Sequence, residues 1–71
     1  MSTTTEYTVT GMTCEHCVAA VEDEVGGLAG VSDVTVDLVA GGSSTVVVTS
    51  ETDVPRDAVA AAVTDAGYSL T

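Results

Sequence analysis

The hydrophobic residues of this chain change period along its length, and the order of those changes limits the fold more than any other feature. Residues 6–10 alternate, with Tyr7 and Val9 on one face and Thr8 and Thr10 on the other. That is the period-2 mark of a strand with one buried side. Beyond Gly11 and a short polar stretch the spacing becomes three and four. Val18, Val21, Val25 and Leu28 then share one helical face, with Glu22, Asp23 and Glu24 on the opposite side. Thr13 is placed to cap this helix through its hydroxyl, and Gly26-Gly27 weakens or ends it. Ala29-Gly30 turns the chain into residues 31–39, where Val34, Val36 and Leu38 alternate inward. Ala40-Gly41-Gly42-Ser43 reads as a hairpin turn, and residues 45–49 as its return strand, with Val46 and Val48 inward. A second helix opens at Thr52-Asp53-Val54-Pro55, with Pro55 suited to the first helical position and Asp53 close enough to cap. Ala58, Val59, Ala62, Val63 and Ala66 form its inner stripe. Gly67 ends it, and residues 68–71 read as a short edge strand.

The order strand, helix, strand, strand, helix, strand predicts an α+β chain of the ferredoxin-like βαββαβ type. Two helices would cover one face of a four-stranded antiparallel sheet. Residues 1–5 read as a disordered N-terminal tail and residues 6–71 as one domain. A chain of 71 residues buries only about 60% of its unfolded surface. It has no Trp or Phe and two Tyr, so Val, Leu and Ala must build the core. Such a core leaves little room for a deep pocket, which typically needs ~300 Å³ or more. The composition therefore argues against an enzyme, and no residue is assigned a catalytic role.

Eleven acidic residues stand against one basic residue, Arg56, for a net charge of −10. A surface without a Lys/Arg cluster excludes nucleic acid and anionic membrane surfaces as partners. The mutual repulsion of the acids is relieved in molar salt, where the Debye length is about 3 Å, and a halophilic cytoplasm is one setting that favours such a surface. Residues 1–6 carry neither a basic nor an apolar leader segment, and no apolar run approaches the ~18 residues of a membrane span. The expected location is cytoplasmic, with no membrane insertion and with thiols kept reduced.

Both cysteines and the only histidine lie in Gly11-Met12-Thr13-Cys14-Glu15-His16-Cys17, at the junction between the first strand and the first helix. Cys14 is expected on the loop and Cys17 in the first helical turn, so that both sulfurs converge on one ion. The helix N-terminus favours thiolate there. Thiolates select Cu(I), zinc or iron–sulfur species. Structural zinc wants four ligands and an iron–sulfur cluster wants four cysteines, whereas Cu(I) accepts two. Cys14 and Cys17 are the candidate metal ligands, for Cu(I) first and for Zn(II) or Ag(I) as alternatives. His16, between them, is expected to point away from the ion, with a part in a metal-bridged dimer as the alternative. A C-x-x-C at a helix start also serves thiol-disulfide oxidoreductases, and that reading stays open beside the metal one.

The seven-residue stretch resembles the GMTCxxC signature of heavy-metal-associated domains. The resemblance runs from Glu6 to Leu70 and takes in Val34-Thr35-Val36-Asp37-Leu38 and Ala66-Gly67-Tyr68. It implies a stand-alone CopZ-like copper chaperone that carries Cu(I) on a thiolate pair. The implied acceptor is the metal-binding domain of a copper-transporting P-type ATPase. The resemblance further implies that Cys14 and Cys17 are the metal-binding thiolates, that Met12 packs under the loop without ligating, and that Tyr68 lies close to it. Zinc-transporting relatives tend to carry Asp just before the first Cys. Thr13 stands there, which favours copper, while Glu15 could serve a harder ion. A monomer is expected without metal, and a copper or zinc buffer with no dedicated acceptor is the alternative function.

Overall fold

Each expected element is present in the computed structural model, which describes residues 2–71. The order is β1 (Thr3–Thr10), α1 (Glu15–Gly26), β2 (Val31–Asp37), β3 (Ser43–Ser50), α2 (Arg56–Asp65) and β4 (Ser69–Leu70). The four strands form one antiparallel sheet in the order β2-β3-β1-β4. This is the ferredoxin-like arrangement, with β4 at one edge and β2 at the other. No helix among the described residues is long and apolar enough to cross a membrane.

Val and Met supply the interior. Val9, Met12, Val21, Val25, Val46, Val59 and Val63 are fully buried, and Tyr7, Cys17, Val48 and Ala62 are nearly so. The alternation on β1 and β3 puts Tyr7 opposite Val46 and Thr5 opposite Val48, so one face of the central strand pair carries an apolar ridge. The helices close over that ridge with the rows Cys17, Val21, Val25 and Val59, Ala62, Val63. Cys17 thus holds the place at the start of the inner row of α1 that the sequence pattern gave to Val18. Val18 is only half-buried, because the spacing 17, 21, 25 follows a single row of every fourth residue and residue 18 lies on its shoulder.

Four expectations about element ends are corrected. Met1 lies outside the described residues, but residues 3–5 are not a tail. They extend β1 against Val48, Thr49 and Ser50, since β3 runs eight residues and gives their backbone groups partners. Thr13 does not cap α1. Cys14 is the N-cap residue, in extended conformation and without a side-chain cap bond, and its carbonyl accepts from the N–H groups of Cys17 (3.0 Å) and Val18 (3.4 Å). Pro55 likewise precedes α2 as its N-cap residue, and Asp53 makes no cap bond. The Pro55 carbonyl takes that place, accepting from Ala58 and Val59 at 3.0 and 3.3 Å. The regular part of β2 stops at Asp37, so Leu38 is half-buried beyond the strand.

A bulge in β2 solves a problem of phase. Val31 and Val34 are an odd number of residues apart and would face opposite sides of a regular strand. The register steps from Val31↔Ser50 to Asp33↔Thr49, which leaves Ser32 as the extra residue. Its hydroxyl donates to the Thr49 carbonyl at 3.1 Å. Val31, Val34 and Val36 are then all half-buried against the core. Arg56, which is exposed, donates from Nη2 to the Thr71 carbonyl at 2.8 Å and stands 6.0 Å from the centre of the Tyr7 ring. It fastens the end of β4 to the start of α2.

The largest fully buried side chain is Met12. Met12→Ala should cost ~2–5 kcal/mol in denaturant unfolding, through lost transfer energy and the cavity left behind. Met12→Leu should cost less than about 1.5 kcal/mol. Equal and small losses for both would show that this side chain is not part of the packed interior.

Candidate metal site

β1 ends and the loop begins at Gly11, whose φ of +98° is a conformation that side chains with a Cβ rarely adopt. A Cβ there would also meet Tyr68 Cδ1 at 3.5 Å. Glycine therefore lets the strand leave the sheet sharply, with the Tyr68 ring in ordinary contact beside the departure. The next residue drops its side chain into the core, since Met12 is 0% exposed. With Met12 sunk, Thr13, Cys14, Glu15 and His16 are left at the surface, and Cys17 returns to the interior at 8% exposure. One corner of the molecule thus carries one exposed and one buried cysteine, both unpaired.

The two sulfurs, Cys14 Sγ and Cys17 Sγ, are 3.6 Å apart. A disulfide would need about 2.05 Å. An ion held in line between sulfurs at a zinc-like bond length of ~2.3 Å would need about 4.6 Å. The pair is thus poised between the two, and an opening of about 1 Å accommodates a linear ion at that bond length. Cys14 is the sulfur free to make that adjustment, because it sits on extended backbone at the surface while Cys17 is fixed in the helix.

Several groups around Cys17 favour its thiolate. The main chain at Thr13 contributes most, followed by the Tyr68 hydroxyl and the main chain and side chain of Cys14, and together they hold the Cys17 thiol down at about 6 against the opposing effect of burial. Thr13 Oγ1 stands 3.8 Å from Cys17 Sγ, which is where its hydroxyl goes instead of to the helix cap. Interaction with the Cys17 sulfur, then burial and the charge of the two cysteines, raises the Tyr68 phenol above its ordinary value.

His16 is exposed, and no set of three or more His, Cys, Asp or Glu side chains converges among the described residues. With Cys14, Glu15 and Leu38 it lines an open surface depression of ≈ 480 Å³. The position of Leu38 here was not read from the sequence, which placed it in the core. Val39, beside it, is 48% exposed, the one large hydrophobic side chain that is exposed among the described residues.

The model of the heavy-metal-associated domain matches residues 6–69. The chain belongs to the heavy-metal-associated domain family. Among its relatives, copper chaperone CopZ of Bacillus subtilis is 48% identical over 69 residues, covering 87% of each chain. Copper chaperone CopZ of Enterococcus hirae is 38% identical over 63 residues, covering 89% of this chain and 88% of its own. The solution structure of the putative copper-ion-binding protein from Bacillus anthracis superposes with a TM-score of 0.82 at 36% identity, covering 100% of this chain and 97% of that one. The ferredoxin-like fold expected from the order of the elements is the fold found, and the family that the Gly11–Cys17 stretch resembles is the family to which the chain belongs.

The depressed Cys17 value fixes a pH dependence. The folded value, about 6, lies below the ~8.5 of a free thiol. Stability from the folded-state thiolate is thus fully present above pH ~8.5, declines as pH falls, and is gone below about 6. Peptide-resolved alkylation of Cys17 should titrate with a midpoint near pH 6, and Tyr68→Phe should move that midpoint upward. A midpoint near 8.5 in both proteins would contradict the assigned hydrogen bonds.

Proposed function

We propose that the protein is a Cu(I) metallochaperone, with Cys14 and Cys17 as its ligands and Cu(I) as its cargo. The observation that carries this is the placement of the sulfurs, 3.6 Å apart with one exposed, on a domain whose relatives are named copper chaperones. A two-sulfur site suits a soft monovalent ion, and it offers zinc too few ligands for a closed tetrahedral site. Ag(I) shares this chemistry and is expected to compete.

Transfer proceeds by ligand exchange. An acceptor thiolate approaches from the open depression and adds to the ion beside Cys14. A three-coordinate intermediate follows, Cys14 leaves, and Cys17 is displaced last because the helix and Tyr68 retain it. The oxidation state of the ion does not change, so no electron donor is required, and the ion is handed on chemically unaltered, which is carriage and not catalysis. The acceptor is the metal-binding domain of a copper-transporting P-type ATPase, met in the cytoplasm where thiols stay reduced. A charge of −10 provides no long-range attraction to an acidic partner, so recognition rests on short-range contacts around the loop. A thiol-disulfide oxidoreductase is the rival reading, and a buffer without an acceptor is the other.

Titration against a chromogenic Cu(I) chelator under reducing conditions should give one Cu(I) per chain, with tight binding lost in Cys14→Ser and in Cys17→Ser. Insulin reduction by the wild type together with weak copper binding would favour the oxidoreductase instead. Transfer to the isolated acceptor domain should proceed at a rate that changes little between ~0.1 and ~1 M salt, where screening lengths fall from about 10 to 3 Å. A steep decline in that interval would mean that charge attraction drives docking. Tight binding with no transfer at any salt would favour the buffer.

A further inference from the structure

The sequence places a serine where the inward alternation of β3 calls for an apolar residue. Ser44 is two before Val46 and four before Val48, opposite Val9 of β1, and it is 0% exposed. Burying a hydroxyl is unfavourable unless it is bonded, and this one is bonded twice to a single residue. Ser44 Oγ accepts from the Val39 N–H at 2.9 Å and donates to the Val39 carbonyl at 3.3 Å. The same Val39 carbonyl accepts from the Gly42 N–H at 3.0 Å, closing a tight turn. Gly41, within that turn at a φ of +74°, donates its N–H to the Met12 carbonyl at 3.2 Å. Met12 is two residues before Cys14. A continuous run of hydrogen bonds therefore leads from a buried serine on β3, through the β2–β3 turn, to the backbone that launches the cysteine loop.

We propose that Ser44 is a positioning residue for the metal loop. It fixes the turn at Val39, the turn holds the Met12 carbonyl through Gly41, and the loop is thereby clamped from outside as well as by the buried Met12 side chain below. Thr13 and Cys14 are then the only links between two fixed points, Met12 and the first turn of α1. Cys14 moves to open the sulfur pair while its neighbours stay in place. The same clamp sets Leu38 and Val39 beside the depression through which an acceptor approaches. This inference rests on the Cu(I) reading above and deepens it.

The test compares Ser44→Ala with Ser50→Ala, which removes the other buried serine from the far end of the same strand. Both variants are to be measured at a temperature where each is fully folded. Three quantities are read: Cu(I) affinity by chelator competition, amide hydrogen exchange at Gly41 and Thr13, and thermal midpoint. Outer-shell partners of metal ligands typically change affinity by about 10–100-fold, and a clamp one step further out should lie at or below the bottom of that range, at about 3–10-fold. Ser44→Ala should lose that much affinity and exchange faster at Gly41. Ser44→Thr, which keeps the hydroxyl, should recover both. Ser50→Ala should leave the affinity unchanged. Equal affinities in Ser44→Ala and wild type, or equal losses in Ser44→Ala and Ser50→Ala, would overturn the positioning role while leaving the Cu(I) reading intact. Failure of the wild type to bind Cu(I) would overturn both.

Discussion

The burial of Met12 is the constraint from which the rest of the cysteine corner follows. A loop between a strand and a helix ordinarily lies at the surface and moves. Here the loop is anchored at its second residue by a fully buried thioether side chain. The anchor divides the loop into a fixed root and a short exposed arch, and the arch carries Cys14. Because Cys17 is already helical, one sulfur is held and the other has limited freedom. Neither a buried rigid pair nor a fully mobile pair would combine retention of an ion with an accessible face for exchange.

Electrostatics follow from the same geometry. Cys14 as N-cap and Cys17 in the first turn of α1 place both sulfurs at the positive end of the helix dipole. The Thr13 main chain and the Tyr68 hydroxyl then act on Cys17. These are local dipoles, fixed by the backbone and by the ring packed against Gly11. They favour thiolate without a nearby cation, which matters in a chain whose only basic residue, Arg56, is spent holding β4 to α2.

The architecture was legible because Val, Tyr and Ala keep clean periods in this chain. Tyr7 and Val9, Val46 and Val48, and Val59 with Val63 were assigned inward from spacing and are buried. The cysteine corner was legible because the two cysteines sit where one period gives way to another. Three of the misread element ends share a cause, which is competition among hydrogen-bond partners that spacing does not encode. Thr13 turned to a sulfur instead of a helix N–H, backbone carbonyls received the N–H groups at the starts of both helices, and residues 3–5 joined β1 because β3 was long enough to pair with them. The Ser32 bulge had a visible trace, the odd interval between Val31 and Val34. Ser44 had one too, as a polar residue in an inward position, but its meaning required the turn to be seen in three dimensions.

In the proposed carrier one ion is held by the sulfurs of Cys14 and Cys17 and by nothing else from the chain. X-ray absorption at the copper edge of the Cu(I)-loaded monomer measures that directly. Two sulfur neighbours are expected, unchanged in His16→Ala. A nitrogen neighbour that disappears in His16→Ala, or a shell of oxygen donors in place of one of the sulfurs, would contradict it.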